Sequence, residues 1–247
     1  MLINLAIVLG LLALLVVFFW PVILGGKTLL PLDNLFSAEP WQAFADQFGI
    51  GVPHNGLLSD LILENYAWKR FIIQALQSGQ PPLWNPHILS GQPFLAAGQH
   101  SALYPLSLIF YVFPLVKAYG YFTVLQLLLA GVFMYGYTRT IRLERMGSIV
   151  AAVVYTFSGF MIVSVVHPMI IAAASWLPLL LAIVECLIRT LEAQRPDHEP
   201  RPVAYIPWLV LGAVVLGVQF LAGHVEIAYY VVLVTAFYSA CRLGALW

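Results

Sequence analysis

The sequence predicts an all-α polytopic membrane protein of about six transmembrane helices. A long external loop carries an amphipathic helix and a re-entrant or interfacial helix. Composition, the spacing of apolar runs and the placement of arginines predict this. The 247 residues are 62% hydrophobic and only 9% charged, with a mean hydropathy of +0.90. A soluble domain carries about 25% charged residues, so this chain cannot cover a water-facing surface and its main solvent is lipid. Net charge is zero, which argues against a nucleic-acid partner, since phosphate contacts require an excess of Lys and Arg.

Residues 2–24 form the first apolar run, near the roughly 20 residues that cross a bilayer. It has no charge before Lys27 and neither a basic start nor a small-residue cleavage site, so it reads as a retained anchor. Further spans are expected at 118–138, 147–166, 168–187, 203–222 and 226–241. Arg139, Arg142 and Arg145 fall between the second and third. Arg189, Arg195 and Arg201 fall between the fourth and fifth, and Arg242 follows the sixth. The other side holds Lys27, Lys69, Arg70 and Lys117 beside Asp33, Glu39, Asp46, Asp60 and Glu64. The positive-inside tendency then puts both termini in the cytoplasm and residues 25–117 outside, within one membrane domain, 1–247.

Residues 102–116 are also apolar but short, with Pro105 and Pro114. Counting them as a span would put the arginines on alternating sides, so they read as the re-entrant or interfacial helix. Cys186 and Cys241, far apart in apolar runs, read as small core hydrophobes. Glu185 is spaced to pair with Arg189 at i+4. Gln126, Ser158, Ser164, Ser175 and Gln219 read as isolated polar residues within the spans, which counts against a transport path.

A loop as long as 25–117 is uncommon unless functional or disordered, and its Trp, Leu, Phe and Ile can bury surface. Residues 57–77 read as an amphipathic helix along the membrane surface, with Leu58, Leu61, Ile62, Tyr66, Ile73 and Leu76 as its apolar stripe. Asp60, Glu64, Lys69 and Arg70 take the other positions. Gly79 is placed to end this helix, and Pro81–Pro82 forbid its continuation. There follows PPLWNPHILSGQPFLAAGQHSALYP (81–105), in which prolines fix the backbone while Gly91 and Gly98 permit turns or close approach. Trp84 and Tyr104, with the amides of Asn85, Gln92 and Gln99, suit a hydroxyl-rich ligand. The same segment suits a rigid cover with Trp84 and Tyr104 as interfacial anchors.

Asp33, in LLPLDNLFSAEPW, and Asp60 both fall near the membrane boundary. Each fits a turn or helix N-terminus, or a general base whose pKa an apolar boundary raises. The outer tips add His167 (VVHPM) and His224 with Glu226 (LAGHVEIAYY), and every histidine except His198 maps to the external side. Ionisable residues there are functional candidates. Such His and carboxylate chemistry leaves a divalent metal open, but no HExxH-like spacing occurs and no metal ligand is assigned. A Gly-rich phosphate loop, a Walker pattern and GxSxG are all missing from the sequence.

The combination SGQPPLWNP, SGQPFLAAGQHSALYP and AGHVEIAYY, with Asp33 and Asp60 upstream, resembles the bacterial YfhO family of integral membrane proteins. That family is placed in the GT-C class of glycosyltransferases. The resemblance runs along essentially the whole chain, and PLWNP–GQP–YP is its specific part. It implies transfer of a sugar from a polyprenyl-phosphate carrier to a cell-envelope acceptor, at the outer face of the bacterial plasma membrane. Catalytic acids of the class lie in the first external loop, which carries Asp33 over as general base and Asp60 as a substrate-orienting or alternative catalytic residue. Trp84, Asn85, Gln92, Gln99, His100 and Tyr104, with His224 and Glu226, would bind substrate. Lys69, Arg70 or Lys117 would offset the carrier phosphate. The implied partners are the bilayer and the lipid-linked sugar, and no cofactor is certain. Family members are longer, with more spans and a C-terminal extramembrane portion, so these residues correspond to an N-terminal portion. The competing expectation is a non-catalytic accessory subunit that docks a partner through the external loop.

Overall fold

The computed structural model describes residues 2–193 and 204–245. Arg195, His198, Arg201 and the start of the expected span at 203 lie outside the described residues. The first helix, α1 (Leu2–Phe18), is followed by the short α2 (Trp20–Ile23). Pro21, with no N–H to donate, sits in the first turn of α2. The run expected as one helix is therefore two.

Among the described residues, four helical stretches are long and apolar enough to cross a membrane: Leu115–Thr140, Arg145–Val166, Pro168–Glu192 and Val225–Gly244. Of these, Leu115–Thr140 (α5) and Val225–Gly244 (α11) are continuous. The second stretch comprises α6 (Arg145–Thr156), α7 (Gly159–Val163) and a final 3-10 turn. The third comprises α8 (Pro168–Ala174) and α9 (Leu177–Glu192). Helices α1 and α10 (Ile206–Leu221) are apolar but only 17 and 16 residues long, at the short limit for a span of about 17.

Helix α5 is the hub and packs against α1, α6, α8 and α9. Within their most apolar windows, Leu115–Thr140 and Pro168–Glu192 are 56% and 50% buried, against 17% and 11% for Arg145–Val166 and Val225–Gly244. The first pair forms the centre, and the second turns most of its apolar surface outward. Small residues let the helices approach. A Cβ on Gly131 would strike Thr156 Oγ1 at 2.5 Å, and one on Gly120 would strike Val22.

The break between α8 and α9 has a specific cause. Pro178 has no N–H to offer the Ala174 carbonyl, and that oxygen instead accepts from Tyr155 Oη at 2.9 Å. The Ala172 carbonyl accepts from Ser175 Oγ at 3.0 Å, and that of Ala173 from Gln219 Nε2 at 3.2 Å. Side chains thus replace the missing ladder, the condition for an irregular helix in an apolar medium. Of the polar residues expected to be isolated, Gln126, Ser175 and Gln219 are accordingly connected. Gln126 Oε1 accepts from Tyr104 Oη at 3.0 Å and Ser175 Oγ at 3.3 Å, and Trp176 Nε1 donates to Tyr104 Oη at 3.1 Å.

The segment 57–77 is not one amphipathic helix. A 3-10 turn (Gly56–Leu58) and a π turn (Leu61–Asn65) precede α3 (Tyr66–Gln77). Leu61 and Ile62 join a core with Tyr104, Phe110, Tyr119 and Phe122. The assignment of Lys69 to the polar face is overturned: Lys69 is 1% exposed, whereas Leu76 of the expected apolar stripe is 48% exposed. The π turn shifts the helical phase, so a stripe counted at 3.6 residues per turn misplaces the residues after it. Gly79 (φ 71°) does end α3, with Gln80 N–H donating to Ala75 O and Gly79 N–H to Leu76 O. Residues 102–116 hold the short helical run Pro105–Ser107 and α4 (Leu108–Val112), too short to span.

Candidate functional site

At one end of the bundle, the loop and the turns at His167 and His224 enclose a cavity of about 150 Å³. Asp60, Glu64 and Trp68 come from the π turn and α3, and Gln99 from the loop. His167, Met169 and Ile170 border the start of α8, and His224 caps α11. Asn65 anchors the floor: it is 1% exposed, accepts from Tyr119 Oη at 2.8 Å and donates to Met169 Sδ at 3.6 Å. A more open cavity of about 290 Å³ adjoins, lined by Ala97, Gln99, Gly223, His224, Val225 and Glu226.

The structure therefore brings Asp60, Gln99, His224 and Glu226 together. It adds Glu64, Trp68 and His167, which were not among the assigned site residues, although His167 was noted at an outer tip. The spacing 60, 64, 68 was legible as one helical face, but nothing local joined it to residues 167 and 224. Burial holds the pKa of His224 below the ordinary histidine value. His167 adds to that and Glu226 opposes it. Among the described residues, no three of His, Cys, Asp and Glu converge to hold a metal ion.

Asp33 lies away from the cavity lining. Its Oδ2 accepts from His54 N–H at 2.7 Å, in a 3-10 segment that packs against the π turn. Trp84 and Asn85 (β1) pair with Gln92 and Pro93 (β2) in a two-residue ladder. A Cβ on Gly91 would strike the Trp84 indole at 2.6 Å, so the close approach expected there is met by Trp84 itself. Asn85 is buried and Oδ1 accepts from His87 N–H. His100 is buried and stacked on Phe94 at 4.1 Å. Its Nδ1 accepts from Ala102 N–H, so the neutral ring carries its proton on Nε2, which faces Phe94 O at 2.8 Å. Tyr104 is 1% exposed within the Gln126 network. Arg70 is exposed.

Lys69 points inward. Its Nζ donates to His100 O at 2.7 Å, Ser101 Oγ at 2.9 Å and Ser107 Oγ at 3.3 Å, and lies 4.5 Å from the Phe110 ring centroid. Burial draws its pKa down to about 7. Three oxygen acceptors and an aromatic face are what a charge there requires.

One helical turn deeper, Ile170 gives way to Ala174 and His224 to Ile227. Ala174 and Ile227, with Tyr155, Phe160, Leu177, Tyr230, Val231 and Val234, line an apolar groove of about 280 Å³. The polar cavity thus stands above an apolar one.

Comparison with known proteins bears on the segment that carries these turns. Residues 99–196 match the family model of the bacterial membrane protein YfhO. No curated protein and no solved structure matches the chain. The YfhO match begins at Gln99, on the wall between the two cavities. It takes in His167, Met169 and Ile170, and it leaves Asp60, Glu64 and Trp68 before it and His224 after it.

Proposed function

We propose that this chain is a membrane glycosyltransferase moving a sugar from a polyprenyl-phosphate carrier to a cell-envelope acceptor at the outer face of the bacterial plasma membrane. In this reading α1 and α10 cross the bilayer with the four longer stretches, both termini are cytoplasmic and residues 25–117 are external. The observation that carries it is an acidic, Trp-bearing cavity and an apolar groove lined from successive turns of α8 and α11. That pairing suits an amphiphile whose polar part sits above a hydrocarbon chain. The YfhO match over residues 99–196 supports the same class.

Asp60 is our choice of general base, because its carboxylate lines the cavity. It would take the proton of the acceptor hydroxyl as that oxygen bonds to the anomeric carbon. The bond from that carbon to the carrier phosphate breaks, and the phosphate leaves with the electron pair. Glu64, four residues on, would bind sugar hydroxyls, and Asp33 would position the loop through His54. Asp60→Asn should lower lipid-linked sugar turnover at least about 100-fold while the protein still inserts. Full turnover in both Asp60→Asn and Asp33→Asn proteins would end this reading.

A second reading rests on another surface. Trp41, Phe44 and Phe48 are 51%, 45% and 68% exposed in the 3-10 segment Trp41–Phe48, a face suited to docking a partner subunit. A stoichiometric partner lost on Phe44→Ser, with no turnover by either protein, would favour that accessory role.

A further inference from the structure

The two polar cavities share a wall made of Gln99 and His224. Gly223 (φ 92°) makes this wall close-packed, since a Cβ there would lie 2.8 Å from Gly98 O and 2.9 Å from Gln99 O. Only glycine lets the turn between α10 and α11 press so closely against the loop backbone. His224 Nδ1 accepts from Ile227 N–H at 3.3 Å as the cap of α11. In the neutral ring the proton is therefore on Nε2, and the imidazole can only donate from that edge. Among the described residues, those lining the outer cavity include the carboxylate-bearing Glu226 and neither Lys nor Arg. A phosphate placed in the outer cavity would face that carboxylate with no cation on its lining to offset it. The outer cavity, at about 290 Å³, is close to the lower bound of small-molecule sites, about 300 Å³, and so holds one small unit.

We infer that the cavity at Gly223–Glu226 is a subsite for an uncharged, hydroxyl-bearing unit of the acceptor, with Glu226 accepting and His224 Nε2–H donating, and with phosphate groups kept outside. This rests on the glycosyltransferase reading for the word acceptor, but the binding itself needs no donor. The two assignments can therefore fail separately.

The test is saturation-transfer NMR on the full chain in detergent micelles, with methyl β-glucoside and glucose 6-phosphate at equal millimolar concentration and no lipid-linked donor. The glycoside should receive strong transfer and the phosphate about tenfold less. Glu226→Gln should weaken glycoside binding about tenfold, the worth of one charge-assisted hydrogen bond. His224→Asn, which keeps an oxygen to cap α11 but has a shorter reach, should do the same. Equal transfer to both probes, or glycoside binding unchanged in both variants, overturns the subsite. Turnover measured in the Asp60→Asn protein bears only on the catalytic reading.

Discussion

Lys69 carries much of the information at the scale of single residues. A fully buried ammonium without a carboxylate is costly, and here three oxygens from residues 100–107 surround it. Because its folded pKa, about 7, lies below the ordinary lysine value of 10.5, the unfolded chain binds more protons between those values. Stability should therefore rise with pH from about 7 to 10, the destabilisation being complete below 7. Lys69→Met should abolish that rise in a thermal melt followed across the same range. It should also loosen the loop that bears Gln99, read as faster labelling of Gln99→Cys. Asp33 and Asp60 make the opposite contrast. The sequence offers both as carboxylates near the membrane boundary, and only their surroundings separate a loop-anchoring Asp33 from an Asp60 on a cavity wall. A propensity scale has no means of seeing that difference.

Among the elements, the break at Ser175–Trp176 is the most informative. Tyr155→Phe leaves the Ala174 carbonyl without a donor and should cost about 1–2 kcal/mol by thermal or steric-trap unfolding. Gln219→Leu should cost less, since it also removes Oε1, a buried oxygen with no partner. Gly79 was legible in the sequence as the end of α3, whereas the run 168–187 read as one span and its break before Pro178 went unread. What was not visible was the π turn at Leu61–Asn65. Its phase slip carries Lys69 to the interior, because a stripe counted at a constant period assumes an unbroken α-helical hydrogen-bond ladder.

Over the whole molecule, among the described residues, polar groups also cluster at the end of the bundle away from the cavities. Opposite the cavities, Glu185 accepts from Arg242 Nε at 2.9 Å and Nη2 at 3.0 Å, from Tyr238 Oη at 3.1 Å and from Arg189 Nε at 3.2 Å. The expected i+4 pair with Arg189 is present, and the fork from Arg242 ties α9 to α11. Glu185→Gln should lower the melting temperature more than Arg189→Ala, because only the former removes the charge shared by both arginines. The orientation we propose is tested by thiol labelling in cells after Cys186 and Cys241 are replaced by Ser. His54→Cys should react with an impermeant reagent and Arg142→Cys should not; the reverse pattern would put the cavities on the wrong side of the membrane.

The chain's own composition settled its solvent, the positions of its apolar runs and the segment in which its polar groups concentrate. These depend on sums over neighbouring residues, which survive any arrangement of the helices. Which side chains meet was decided by packing across long separations, as between Asn65 and Met169 or between Tyr104 and Trp176. The cavity and the inward turn of Lys69 both follow from those contacts. Each depends on where distant backbones come to rest, a three-dimensional fact that no local window of residues encodes.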